Sequence, residues 1–256
     1  TNMVSTMEGL DDCPVFIDIN DLNNYANSSN VSHDYYLYLS EDGLSLKPFD
    51  KSKHGNIKVD FLRGKNNHRR LYSTSYRSDI ARAFAISSKN KPRILDCTAG
   101  FGSDAFSLAS LGCEVKLIER NPLIYALLYD GIQRMKMAIC SDEQLKKSIN
   151  ISCRHGDSIC YLNQSSGDQS FFDAIYMDPM FPAKSKNAKS KKEMQAVQNI
   201  VDSEDDYDKL LSSALESRVK RIVIKRPIKG SFLSGISPSF SIKARSIRYD
   251  VFINNC

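Results

Sequence analysis

The 256-residue sequence has no apolar run near the ~20 residues that a membrane span requires. Its N-terminus shows no basic segment followed by an apolar one, so no secretory signal is read there. The seven cysteines, at positions 13, 97, 113, 140, 153, 160 and 256, are odd in number and include no C-x-x-C pair. Such a scattered set argues against a disulfide framework and against a zinc site, and it fits a reducing compartment; a cytoplasmic protein is expected. The four histidines are equally dispersed, and no metal is expected. Internal repeats and long low-complexity tracts are also missing.

What the chain does have is uneven charge. Its net charge is +5, yet residues 1–60 hold 4 Lys/Arg against 10 Asp/Glu, while residues 61–256 hold 31 against 20. A basic larger part suits a polyanion-facing surface, although a solvated surface without a partner would carry the same charge.

The most informative stretch is RILDCTAGFGSDAFSLASLGCEVKLIERNP, residues 93–122. An apolar run over 93–97 predicts a buried parallel strand. A turn of small residues follows, with Gly100 and Gly102, then a helix over about 103–111, a helix-ending Gly112, and a second strand over 114–118 that ends on Glu119. Strand, glycine turn, helix and strand form a βαβ unit. Glycines let a ligand approach the backbone, and a helix N-terminus offers unpaired N–H groups. Glu119 lies 23 positions after Asp96, near the ~20-residue offset at which a carboxylate reaches ribose hydroxyls.

Residues 100–105, GFGSDA, formally satisfy the dinucleotide fingerprint G-x-G-x-x-A, which alone is weak. Asp96 and Asp104 flank that turn and would repel a diphosphate. They suit a ligand with a cationic centre and an amino group, as S-adenosylmethionine presents. A plain crossover with a helix-capping Asp is the bland alternative.

Along the chain, residues 1–75 read as a small β-rich N-terminal domain and 76–256 as a Rossmann-like α/β domain. The first contains predicted strands at 14–19 and 57–62, an Asn/Ser-rich loop over 20–32, and a hairpin of 35–39 with 44–49 around Glu41-Asp42-Gly43. The second has a helix over 78–86 and another that starts at Asn121-Pro122 and passes Arg134, with Asn as cap and proline in the first position. Further strands are expected at 149–153, 171–177 and 221–225, with helices near 191–201 and 210–215 and a terminal strand pair over 239–244 and 248–253. Asp157 then stands beyond a strand end, on the ligand edge of an open α/β sheet.

DPMFP, residues 178–182, follows an apolar strand and therefore lies on the same sheet edge as the glycine turn. An exocyclic amine on a base is a poor nucleophile because its lone pair is delocalised into the ring. A carboxylate and a backbone carbonyl that accept its N–H groups favour a more reactive nitrogen, and an aromatic ring holds the base by stacking. Asp178, the Pro179 carbonyl and Phe181 supply these groups. An isolated Asp-Pro would be read as a strand-ending turn.

These segments resemble the bacterial small-subunit ribosomal RNA (guanine-N2) methyltransferase J family. The resemblance runs from about residue 59 to 227. Its matching segments include VDF (59–61), HRR (68–70), DCTAGFGSDAF (96–106), LGC (111–113), ERNP (119–122), LL (127–128), DG (130–131), DPMFP (178–182), KKEM (191–194) and VIKRP (223–227). It implies a Rossmann-like methyltransferase sheet and S-adenosylmethionine-dependent methylation of a guanosine N2 amine. The implied cofactor contacts are Ser103, Asp104, Glu119, Arg120, Asp157, Ser158 and Asp178, beside Asp96, Gly100 and Gly102 from the turn. The family usually has Arg at the position of Ser103 and a small residue at that of Asp157. The implied catalytic group is Asp178 with Pro179 and Phe181. The implied partner is small-subunit ribosomal RNA or the assembled subunit, held through basic segments 63–70, 184–192 and 225–229, with no membrane and no metal. A non-catalytic RNA-binding or assembly factor that kept the fold is the alternative, and an intact 178–182 motif argues against it. An NAD-type oxidoreductase is disfavoured by Asp96 and Asp104.

Overall fold

In the computed structural model, seven strands form one mixed sheet around a parallel centre. The residues described are 35–48, 55–63, 75–141, 149–164, 171–179 and 206–254. In chain order the elements are β1 (Tyr35–Ser40), β2 (Gly43–Pro48), α1 (Asp79–Ala83), β3 (Arg93–Asp96), α2 (Ser103–Ser110), β4 (Glu114–Glu119), α3 (Pro122–Ser141), β5 (Asn150–His155), α4 (Ser158–Gln164), β6 (Ala174–Met177), α5 (Tyr207–Glu216), β7 (Arg221–Pro227), a 3-10 turn (Leu233–Gly235), β8 (Phe240–Lys243) and β9 (Ile247–Ile253). The large sheet has the order β5-β4-β3-β6-β7-β9-β8. β5, β4, β3, β6 and β7 run parallel, whereas β9 is antiparallel to both β7 and β8. This is the expected Rossmann-like α/β sheet, with a closing hairpin whose last strand is inserted next to β7.

The central strands read as unbroken apolar runs because both faces are covered. Alternate residues enter opposite cores. Ile94, Leu117, Tyr176 and Val223 pack with α1, α2 and α3 on one face. Leu95, Ile118, Ile175, Ile222 and Ile224 pack with α4 and α5 on the other.

The predicted hairpin forms as β1 and β2 around Glu41-Asp42-Gly43. It does not stand apart from the rest. Leu44, Leu46, Ile57, Val59 and Phe61 belong to the same core as α2 and α3. Asp130 of α3 accepts the Leu44 N–H at 3.1 Å and the Arg134 Nε–H at 2.8 Å. Gly131 lets the 57–61 segment approach, since a Cβ there would meet Val59 Cγ1 at 2.7 Å.

Several expectations need correction. Residues 57–62 make no strand; only Ile57 bridges to Leu46, although Ile57, Val59 and Phe61 are all buried. Their alternation reflects an irregular segment laid on a core. The strand expected over 171–177 is confined to Ala174–Met177, and α1 is shorter than 78–86. Helix α4 was not anticipated. The segments at 14–19, 20–32 and 191–201 lie outside the described residues. Among those described, no helix is long and apolar enough to cross a membrane, and no group of three or more His, Cys, Asp or Glu is placed to hold a metal.

Candidate functional site

β3 pairs with β4 on one side and with β6 on the other, so the chain's progress across the sheet reverses between β3 and β6. Loops leaving the C-terminal ends of strands at such a point diverge and open a crevice. Asp96 ends β3, Glu119 ends β4, and Asp178 follows β6. All three meet on this edge, as the sequence predicts.

Two glycines shape the turn after β3 for different reasons. Gly102 has φ +70 and caps α2, and a Cβ on it would meet Leu128 Cδ1 at 2.9 Å and Phe61 Cζ at 3.3 Å. Gly100 has φ +51, but a Cβ there would meet nothing within 4 Å among the described residues. Gly102 is thus required by the protein's own packing, whereas Gly100 borders open space. Ser103 and Asp104 form the first turn of α2, directly after the glycine turn that leaves β3.

Glu119, 8% exposed, is fixed by backbone donors. Its Oε2 accepts the Gly100 N–H at 2.8 Å and its Oε1 accepts the Asn121 N–H at 2.8 Å. Burial raises its pKa, and the two backbone bonds work against that rise. Each oxygen retains a lone pair for a further donor. Asn121 in turn caps α3 through the Leu123 and Ile124 N–H groups, as expected from Asn121-Pro122.

Asp96 is 2% exposed, and its carboxyl is pushed up to about 8 by burial, with Asp104, Asp178 and Glu119 adding repulsion. Its Oδ1 accepts the Thr98 N–H at 3.0 Å, and Oδ2 has no hydrogen-bond partner among the described residues.

A cation missed by the sequence reading organises the remaining carboxylates. Lys225 Nζ donates to Asp104 Oδ2 at 2.7 Å and to Asp178 Oδ2 at 2.8 Å. Tyr176 also donates its hydroxyl to Asp104 Oδ2, at 2.8 Å. Burial disfavours the charge on Lys225, but the two aspartates outweigh it and hold its pKa above the usual range. Asp178 is 39% exposed at its side chain. Burial nevertheless raises its pKa, against the lowering effect of Lys225. Pro179 is buried behind it, and Phe181 lies outside the described residues.

Two predicted contacts have other occupations. Asp157 Oδ1 caps α4 by accepting the Cys160 N–H at 2.8 Å, while Oδ2 lies 3.6 Å from Arg120. Arg120 also approaches Asp206, at 3.8 Å. Ser158 donates its hydroxyl to the Cys97 carbonyl at 2.8 Å and so ties α4 to the end of β3. These residues border the crevice, but the Asp157 carboxylate is engaged by its own helix and by Arg120.

The basic segment 225–229 also needs correction. Lys225 is inside the site, and Arg226 is buried, donating to the Ser231 carbonyl at 2.7 Å. Lys229 alone carries that segment's charge to the surface. Of segment 63–70 only Arg63 is described, and 184–192 is not.

Taken together, the crevice offers an open glycine turn, an anchored carboxylate at the β4 end, and a buried Asp96 with one oxygen to spare. Asp104 and Asp178 share one ammonium, and the buried Asp96 lies near enough to both to feel their charge, a balance that favours a ligand with positive charge. These features fit S-adenosylmethionine and disfavour a diphosphate.

Comparison with known proteins agrees with this chemistry. Residues 22–254 match the family described as "Putative SAM-dependent methyltransferase". The chain is 40% identical over 221 residues to ribosomal RNA small subunit methyltransferase J of Cellvibrio japonicus, covering 86% of this chain and 83% of that one. The protein of the same name from Pseudoalteromonas translucida is 40% identical over 228 residues, with 89% and 88% covered. The crystal structure of a SAM-dependent methyltransferase from Neisseria gonorrhoeae superposes with a TM-score of 0.64 at 28% identity, covering 88% of this chain and 85% of that one. The chain therefore belongs to the SAM-dependent methyltransferase family that includes the ribosomal RNA small subunit methyltransferase J proteins.

Proposed function

We propose that this protein methylates the exocyclic N2 amine of a guanosine in small-subunit ribosomal RNA. The observation that carries the reading is Asp178. One of its carboxylate oxygens is held by Lys225, and the other has no partner among the described residues, on the sheet edge that bears the glycine turn. S-adenosylmethionine supplies an electrophilic methyl group when bound. Glu119 accepts ribose hydroxyls, and Asp96 with the Gly100–Gly102 turn holds the methionine portion. Asp178 Oδ1 and the Pro179 carbonyl accept the two N–H groups of the amine, and the Phe181 ring stacks on the base. As the nitrogen gains its methyl group it must shed a proton, which Asp178 receives and passes to solvent. The base has to be unstacked to reach this depth.

The RNA backbone is held by basic groups around the mouth. Besides segments 63–70 and 184–192, the fold supplies a rim from two turns on the same sheet edge. β7 ends at Pro227 level with Ile247, where β9 begins, and the Ile228 N–H donates to the Ser246 carbonyl at 3.1 Å. Lys229 stands in one turn, with Lys243 and Arg245 at the other, all exposed and without an ion pair among the described residues. Buried Arg248 fixes the turn that carries Lys229 by donating to the Pro227, Ile228 and Gly230 carbonyls.

The test is transfer of labelled methyl from S-adenosylmethionine to unmodified small subunits and to naked small-subunit RNA, with identification of the labelled nucleoside. N2-methylguanosine is expected. Binding of both ligands without transfer would instead favour the assembly-factor reading.

A further inference from the structure

We infer that Lys225 is a positioning residue for Asp178, occupying Oδ2 of that carboxylate and leaving Oδ1 as the acceptor for the substrate amine. The inference rests on the proposed function, and it takes Lys225 away from the RNA-facing role that its neighbours in sequence suggest.

The sheet register carries the argument. Met177 of β6 pairs with Ile224 of β7, so the next residues, Asp178 and Lys225, lie side by side. Lys225 also pairs with Tyr249 of β9. Alternation puts Lys225 on the same face as Val223, the face covered by α2, and Asp104 of α2 completes the contact. The ammonium is only 24% exposed at its side chain and bridges two carboxylates at 2.7 and 2.8 Å. A cation so committed has little left to offer a phosphate.

Every titratable group around it points the same way. Asp104 from α2 is a like charge to Asp178, and Asp96 from β3 lies close by with its own carboxyl raised by burial. Tyr176 from β6 is a donor to Asp104, and Tyr249 from β9 is a buried phenol whose ionisation is suppressed by burial and by Asp104. Asp79 of α1 adds a further negative charge facing Tyr249. Among the described residues, Lys225 is the one cation in this set. Burial and Asp104 already raise the Asp178 pKa, and Lys225 opposes both. Without the ammonium, Asp178 would take up a proton at higher pH and become a donor where an acceptor is needed.

Lys225→Met and Lys225→Arg test this. The acid limb of the kcat profile should move to higher pH in the Met variant, with about a tenfold loss of rate below the limb for each unit moved. The Arg variant should keep its limb near that of the wild type, and RNA affinity with its salt slope should be unchanged in both. Lys225→Met combined with Asp104→Asn removes the repelling carboxylate as well, and the limb should return partway. A carbon-13 titration of the Asp178 carboxyl, which needs no turnover, should show the same upward displacement in the Met variant. It keeps the inference testable even if small-subunit RNA proves not to be the substrate. An unmoved Asp178 titration in folded Lys225→Met protein would overturn the inference. So would a flattened salt slope for RNA with the kcat profile intact.

Discussion

The Thr98 hydroxyl accepts the backbone N–H of Asp178 at 2.6 Å, while the Thr98 N–H donates to Asp96 Oδ1 at 3.0 Å. One residue thus joins the carboxylate that ends β3 to the main chain that follows β6, across the point where the crevice opens. The glycine turn after β3 and the segment after β6 are held in register by that link.

Replacing Thr98 by Val keeps the shape but leaves the Asp178 N–H without its acceptor. A loss of about 1–3 kcal/mol is expected, the usual cost of a stranded donor in a partly buried site. Thr98→Ser should retain most of it. Steady-state kinetics alongside thermal melting will show how the loss divides between kcat/KM and stability.

The two turn glycines should respond differently to alanine. Both would adopt positive φ, a cost of roughly 1–2 kcal/mol each. Gly102→Ala adds contacts with Leu128 and Phe61, at 2.9 and 3.3 Å, and overpacking of this kind costs about 1–3 kcal/mol more. Gly100→Ala meets no atom of the described residues within 4 Å. It should stay closer to wild type in melting temperature but lose S-adenosylmethionine affinity in calorimetry, because the added methyl group enters ligand space.

If Asp96 borders the bound cofactor as proposed, cofactor binding should be proton-linked. The Asp96 carboxyl, pushed up to about 8 by burial, is largely protonated at pH 7. A cationic ligand favours the ionised form, so S-adenosylmethionine binding at pH 7 should release protons. Calorimetry in phosphate and in Tris will read this as a buffer-dependent enthalpy, which Asp96→Asn should abolish. The linkage to folding has the matching sign. The folded state retains a proton that the unfolded chain sheds near pH 4, so this group's contribution to ligand-free stability falls as pH rises from about 4 to about 8.

Much of this arrangement was legible in the sequence because local signals and burial agreed. The apolar runs at β3, β4, β6 and β7 are strands covered on both faces, and Asn121-Pro122 starts a helix because the Asn side chain takes the first free N–H groups. The sequence is ambiguous where one pattern has two physical causes. The alternating burial of Ile57, Val59 and Phe61 resembles a strand, but the segment lacks a ladder partner beyond Leu46. Asp157 stands at a strand end, where ligand contacts are common, yet the same position caps α4. Lys225 was grouped with Arg226 and Lys229 by sequence proximity. Only the register across β6 and β7 sets it beside Asp178, and that pairing is long-range information.

The rim of Lys229, Lys243 and Arg245 should behave as an electrostatic surface and nothing more. Changing all three to Gln should lower the slope of log affinity against log salt by up to about 0.9 for each lost duplex contact, and less for single strands. S-adenosylmethionine affinity should not change. Filter binding across a salt series provides the measurement, and an identical slope would remove the rim from the RNA interface.

The central claim is that Asp178 activates the attacking amine, and single-turnover methyl transfer by its variants tests it most directly. Asp178→Ala removes an acceptor whose interaction strengthens as positive charge develops on nitrogen. The rate should fall by about 10²–10³. Asp178→Asn keeps an oxygen acceptor without the charge or the proton site and should fall between wild type and Ala, with RNA binding nearly constant across the three proteins. Wild-type rates of transfer in folded Asp178→Ala protein would contradict the account.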